Sequence, residues 1–341
     1  MSELARYGGV FLTFARNSLI RDMTFRTNFL IECVSTAGWT LMNVGFYLIV
    51  FSVTESLGAG TGWGRWEFFV FLATTLIVNG IVQMLFMENA QELSELIRTG
   101  NLDFVLLRPI DTQFLVSLRR FDWSSAATLG IGVVLLVVSL VQLTRERAGP
   151  PDAGPSVADG ASGRGIPGRE VDVERTAGPA TDLPAVDTAP PEGVNPLSAG
   201  GQVRATPLRI TPASIILYVF YIACGVAIMY SLMLSLAATS IWLGRNQTLY
   251  DFWFYITNFS RYPMEIYARG WGVPLLGLFT FVVPVLVVVN VPARLLAQPL
   301  DPKSWWEWPL AGFTILATAV SLLASRAIFQ FALRSYRSAS S

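Results

Sequence analysis

Stretches of about 20 predominantly apolar residues recur along the chain, the length a helix needs to cross the roughly 30 Å hydrocarbon core of a bilayer. They read as spans at 28–53, 67–87, 124–143, 212–243 and 305–329. With 341 residues, 52% hydrophobic and 14% charged, and a mean hydropathy of +0.50, the chain is too apolar for a soluble domain. Lipid cannot satisfy backbone polar groups, so such runs become helices. The expected class is an all-α integral membrane protein.

The stretch 244–291 admits two readings. Residues 244–268 are aromatic but carry Arg245, Asp251, Asn258, Arg261 and Glu265, while 273–291 are apolar but interrupted by Pro284. By hydropathy the second run is the fifth span and the first is interfacial. Alternatively the first run crosses, its polar residues facing protein, and the second dips in and out.

Between the second and third spans lies a polar region, 88–123. Ala90, Leu93, Leu96 and Ile97 form an apolar stripe on a short helix, with Glu92, Glu95 and Arg98 facing elsewhere. Gly100 follows as a helix stop. Pro109 separates the link at 102–107 from a second helix that Asp111 can cap. The pattern predicts a compact helical hairpin with a docking surface.

Ahead of the first span, 1–27 predicts an interfacial helix, with Leu4, Tyr7, Phe11, Phe14 and Ser18 on one face and its arginines near anionic lipid headgroups. Glu32 sits about one turn inside the first span, where a carboxylate costs up to about 2.5–3.5 kcal/mol. It is placed either near the headgroups beside an arginine such as Arg26 or on a polar cavity. Asn79 and Gln83, one turn apart, either bond a neighbouring helix or line a pathway, to which Asp251 and Trp253 are further candidates. Ala223, Ala227, Ser231, Ser235 and Thr239 recur every fourth residue, a ladder that admits close helix packing. Residues 144–212 are rich in Pro, Gly and Ala and cannot bury a core, so they read as a disordered insert.

Arginine placement sets the topology. Arg6, Arg16, Arg21 and Arg26, then Arg98, Arg108, Arg119 and Arg120, then Arg334 and Arg337 fall on one side of a six-span arrangement, against Arg65 and Lys303 in the short opposite loops. The positive-inside rule puts both termini, the 88–123 region and the tail at 332–341 in the cytoplasm, and the insert outside.

Catalysis has little to draw on. There is no histidine, and the two cysteines, Cys33 and Cys224, lie in apolar segments, so no metal site or cofactor is expected. Lys303 follows Asp301 and Pro302 rather than a phosphate-cradling glycine loop, and it is the only lysine. An intramembrane carboxylate pair would have to be Glu32 with Asp251, which is a weak basis for an enzyme. A formal net charge of zero gives no footprint for nucleic acid.

The wording ELIRTGNLDFVLLRPIDTQFL at 95–115, with RYPMEIY and then FVVPVLVVVNVPARLL at 261–296, resembles the permease subunits of bacterial ABC-2 type exporters. The resemblance covers nearly the whole chain except the insert. It implies spans one to three within 28–143, spans four to six within 213–331, a fifth span at 247–262 and a re-entrant element at 273–291. It also implies two permease subunits, identical or homologous, in the inner membrane, and separate ATPase subunits that bind the hairpin. Glu92, Glu95, Arg98, Gly100, Asp103, Arg108 and Pro109 are then the candidate coupling residues. The competing expectation is a non-transporting scaffold or assembly subunit.

Overall fold

Each apolar run becomes a helix, and the polar residues at its edges set the ends. The computed structural model describes residues 3–54, 63–148, 211–243, 247–268, 270–298 and 307–336, among which there is no strand. Most of the expected insert, 149–210, lies outside the described residues, as do 337–341.

In chain order the helices are α1 (Glu3–Thr24), α2 (Arg26–Val53), α3 (Arg65–Val82), α4 (Glu88–Arg98), α5 (Leu102–Leu106), α6 (Thr112–Leu118) and α7 (Ala126–Ala148). Then come α8 (Pro212–Ala238), α9 (Ser240–Leu243), α10 (Gln247–Asn258), α11 (Gly272–Gly277), α12 (Val285–Ala297) and α13 (Glu307–Ser335). Five segments among the described residues are long and apolar enough to cross a membrane: Arg26–Val53, Arg65–Arg98, Trp123–Arg147, Pro212–Leu243 and Pro309–Ser335. A sixth apolar segment, Gly272–Val282 with Val285–Ala297, is bent by 88° at Pro284. The chain is a multi-pass, all-α membrane protein.

Local chemistry fixes the helix starts. Gly64 donates its N–H to Glu67 Oε2 at 2.7 Å, satisfying a free amide at the head of α3. Thr211 accepts from the Ser214 amide at 3.2 Å, and Pro212 supplies a pre-set first turn for α8.

The centre of the bundle is α8, which packs against α13, α12 and α3. A close approach falls at Gly225: a Cβ there would lie 2.8 Å from the Val288 carbonyl oxygen of α12. Pro292, one turn on in α12, has no N–H to give that carbonyl. Glycine therefore lets α8 lie against the carbonyl that proline frees.

Nearly every residue of α12 is buried; Arg294 is only partly so. Its one amide, Asn290, is satisfied on both atoms: Nδ2 donates to Leu286 O at 2.7 Å and Oδ1 accepts from Met264 N at 3.0 Å. In α2, by contrast, only Thr40 and Phe51 are buried. Such an apolar, outward-facing helix needs lipid or another membrane protein around it.

Contacts order the bundle into two ends. Near one end α9 touches α4, and the 88–123 region gathers there. At the other, Trp63 and Glu67 begin α3, and Glu265 bonds Trp63 Nε1 at 3.0 Å. The bent pair both starts and finishes at that second end. Gly272 lies against the Tyr267 carbonyl, while Ala297 O accepts from Arg147, itself paired with Glu67.

Candidate functional site

The 88–123 region is built as an extension of the second span. A π-helical turn, Gln83–Met87, joins α3 to α4, so the first arm of the hairpin is continuous with a membrane helix. Such turns mark functional positions in many helices. Phe86 within it packs its ring 4.6 Å from that of Tyr230 on α8.

Amphipathic spacing decides which side of α4 faces in. Leu93 and Ala90 are buried, with Leu96 and Ile97 packed against the core. Gly100 takes φ 71°, the left-handed stop that a side chain would resist. In α5, Leu102 and Val105 are buried, whereas Phe104 and Leu107 project outward at 69% and 81% exposure. Asp111 Oδ1 accepts from Phe114 N at 2.9 Å and starts α6. Gln113 Nε2 donates to the Tyr230 hydroxyl at 3.0 Å, and Ser117 Oγ shares a 2.8 Å hydrogen bond with it.

A charge lattice holds the two arms together. Glu92 pairs with Arg119 at 3.4 Å and Arg120 at 2.9 Å, while Glu88 pairs with Arg120 at 3.4 Å and Arg21 at 3.3 Å. The buried amide of Asn89 donates to Arg120 O at 2.7 Å and accepts from Arg120 N at 2.9 Å, replacing a backbone partner on the opposite strand of the hairpin.

The α1 face assigned from sequence to the membrane interface is used largely against this hairpin. Tyr7 meets Phe114 edge-on at 5.0 Å, and Phe11 meets Phe121 at 5.1 Å. Ser18 Oγ accepts from Phe121 N at 3.1 Å, and Trp123 Nε1 donates to Ala15 O at 3.2 Å. Leu12, Ile20 and Met23 remain outward. From the other side α13 reaches the hairpin, with Arg326 Nη2 3.7 Å from Asp111 Oδ2. Burial, and then the Asp103 carboxylate, pushes the Tyr336 phenol above its usual range.

The sequence-derived coupling set therefore divides. Glu92 turns inward and fixes the hairpin, its side chain 14% exposed. Glu95 and Arg98 pair with each other at 2.5 Å on the outside, and Arg108 and Pro109 are also exposed. Gly100 supplies the turn, and Asp103 leans toward Tyr336. Phe104 and Leu107 read from sequence as part of an apolar link; only the burial of their neighbours Leu102 and Val105 shows that they point out.

Of the pathway set, Glu32 and Gln83 line one cavity of about 700 Å³ at the hairpin end of α2. Glu32 accepts from Asn28 Nδ2 at 2.7 Å, lines the cavity and makes no ion pair with Arg26 among the described residues. Asn79 is half-buried one turn from Gln83 and does not line the cavity. Trp253 is buried in the core. The side chain of Asp251 lies outside the described residues.

Along the small-residue ladder Ser231 is buried, Ala227, Ser235 and Thr239 are half-buried, and Ala223 is exposed. The Ser231, Ser235 and Thr239 hydroxyls donate to carbonyls of their own stretch, those of Ala227, Ser231 and Leu236. Gly225, off that ladder, makes the close contact with α12.

The opposite end holds a polar cluster with no sequence signature. Glu67 pairs with Arg147, whose side chain is 10% exposed and also donates to Ala297 O at 2.9 Å. Glu265 pairs with Arg294 and accepts from Trp63 Nε1. These residues come from four separate stretches of chain, so only the folded arrangement brings them together.

A family model described as ABC-2 family transporter protein matches residues 37–146 and 201–340. No curated protein and no solved structure matches the chain.

Proposed function

From the chain's membership of the ABC-2 transporter family, as its membrane-spanning permease component, we propose that it is moved by a separate ATPase subunit docking on the 88–123 hairpin. The observation that carries this reading is the apolar tip. Phe104, Leu106 and Leu107 are exposed on a hairpin otherwise tied to α1, α8 and α13. An exposed apolar patch on an anchored element marks a protein or membrane contact, and the charged residues around this one favour protein. The Glu95–Arg98 pair and Arg108 give it the polar rim that such contacts have.

The geometry supplies a route for motion. Closure of the ATPases displaces the tip; α4 carries this into α3 because the two are one continuous rod. Tyr230 passes it to α8, and the Asp111–Arg326 contact passes it to α13. Cargo export follows from relative movement of these helices, with ATP hydrolysis residing in the partner.

In this reading the hairpin, both termini and α1 face the cytoplasm of a bacterial cell, which agrees with the arginine distribution. Residues 247–262 cross as the fifth span, and the bent α11–α12 pair is re-entrant from the outer side, as its two ends beside Tyr267 and Arg147 suggest. Two such permease subunits form the working assembly.

Replacing Phe104 and Leu107 together by Asp tests the docking. The variant should reach the membrane in normal amount but lose the co-purifying ATPase. Hot-spot residues of this kind contribute roughly 2 kcal/mol or more each. An ATPase retained in the wild-type ratio would refute the assignment.

A further inference from the structure

The cavity beside Glu32 has a composition that the hairpin's role does not use. It is walled by the end of α1, the start of α2, the π-helical turn, the start of α4 and the stretch 120–124 that leads into α7. Glu32 lies six residues beyond Arg26, about 9 Å along the helix axis, near the start of the apolar segment Arg26–Val53.

Its charges are unequally matched. Arg21 contacts Glu88 at 3.3 Å and Asp22 at 3.1 Å, and Arg120 contacts Glu88 at 3.4 Å and Glu92 at 2.9 Å. Each guanidinium is thus shared between two carboxylates. Glu32 accepts from the neutral Asn28 amide, and Asp122 accepts from the Ser124 and Ser125 hydroxyls at 2.6 Å. Neither carboxylate has a cationic partner among the described residues. Phe25, Phe29 and Met87 complete the wall with apolar surface.

We propose that this cavity binds the headgroup of a zwitterionic aminophospholipid, its ammonium on Glu32 and Asp122, its phosphate toward Arg21 and Arg120, and its chains along Phe25 and Phe29. A carboxylate inside an apolar span is unfavourable without a counter-charge, which the ammonium provides. An anionic lipid would meet four acids, Asp22, Glu32, Glu88 and Asp122, against two arginines. The site is independent of which ATPase binds the hairpin.

The test uses the full chain in detergent, stripped of lipid and offered equal phosphatidylethanolamine and phosphatidylglycerol with identical acyl chains. Retained lipid is then quantified by mass spectrometry. The amine lipid should be enriched about fivefold, the size of effect one partly exposed charge pair gives. Glu32→Gln should remove the enrichment and Glu32→Asp should keep it. Equal retention, a preference for phosphatidylglycerol, or an enrichment unchanged in Glu32→Gln would overturn the proposal. If Glu32→Gln does not fold, the wild-type chain still decides. It should prefer phosphatidylethanolamine to its N-acetyl derivative, which keeps the phosphate and loses the cation, and equal retention would refute the site. Soluble glycerophosphoethanolamine should displace none of the bound lipid; displacement would identify a free headgroup rather than a lipid as the ligand.

Discussion

Arginine–carboxylate pairs close both ends of the helix bundle. At the hairpin end, Glu88 and Glu92 are shared among Arg21, Arg119 and Arg120, whose side chains are 36–42% exposed. At the other, Glu67 pairs with Arg147 and Glu265 with Arg294, with all four side chains 22% exposed or less. Shared, water-reached pairs exchange partners at little cost, since exposed pairs contribute about 0–1 kcal/mol each. A buried pair that loses one member strands a charge, at about 3–5 kcal/mol. The first arrangement suits an element that is gripped and shifted; the second suits a clasp that is shut or open.

The largest effect that separates the two ends is expected at the clasp. Glu67→Gln takes the carboxylate from Arg147, whose side chain is 10% exposed, and should destabilise the fold by about 3–5 kcal/mol, read as a lower unfolding midpoint in detergent. Glu67→Leu combined with Arg147→Met should recover most of that loss. Were Glu67→Gln neutral, the contrast between the ends would fail.

Midway between the ends, Gly225→Ala drives a methyl against the Val288 carbonyl at 2.8 Å and should cost about 1–3 kcal/mol by the same measurement. A neutral result would mean that α8 and α12 move apart freely, leaving the clasp mechanically unconnected to α8. Tyr230→Phe removes the hydroxyl that binds Gln113 and Ser117, a change of about 1 kcal/mol. ATPase binding should persist while transport per ATP hydrolysed falls; unaltered coupling would remove Tyr230 from the route. The smallest stability effect is expected for Arg98→Ala, whose exposed pair with Glu95 should leave the unfolding midpoint unchanged, while hydrolysis and export uncouple.

Sequence carried the membrane class because hydrocarbon thickness imposes a length that apolar runs reveal directly. The hairpin was legible for a related reason: the Ala90–Leu93–Leu96–Ile97 stripe, Gly100 and Asp111 are local signals, and they appear as a packed face, a left-handed stop and a helix cap. Less accessible was anything joining distant stretches. Glu265 meets Trp63 across 202 positions, and Arg147 meets Ala297 across 150, with no periodicity to announce either. The four-residue ladder on α8 does not mark the close contact within this chain, because an α-helix turns every 3.6 residues and a strict spacing of four drifts off one face. Gly225 lies where Pro292 on another helix frees a carbonyl, a relation invisible from α8 alone. The tyrosine and phenylalanine face of α1 was correctly amphipathic, but periodicity alone does not distinguish a protein surface from a lipid one.

The central claim is that the tip at Leu107 faces the cytoplasm and is covered by an ATPase. A single cysteine at Leu107, in a Cys33→Ser, Cys224→Ser background, can be tested with a membrane-impermeant maleimide on oriented vesicles. Labelling is expected in inside-out vesicles stripped of peripheral proteins, with protection when the ATPase is restored and no labelling in right-side-out vesicles. Labelling from the outside, or a tip that the ATPase leaves fully reactive, would contradict it.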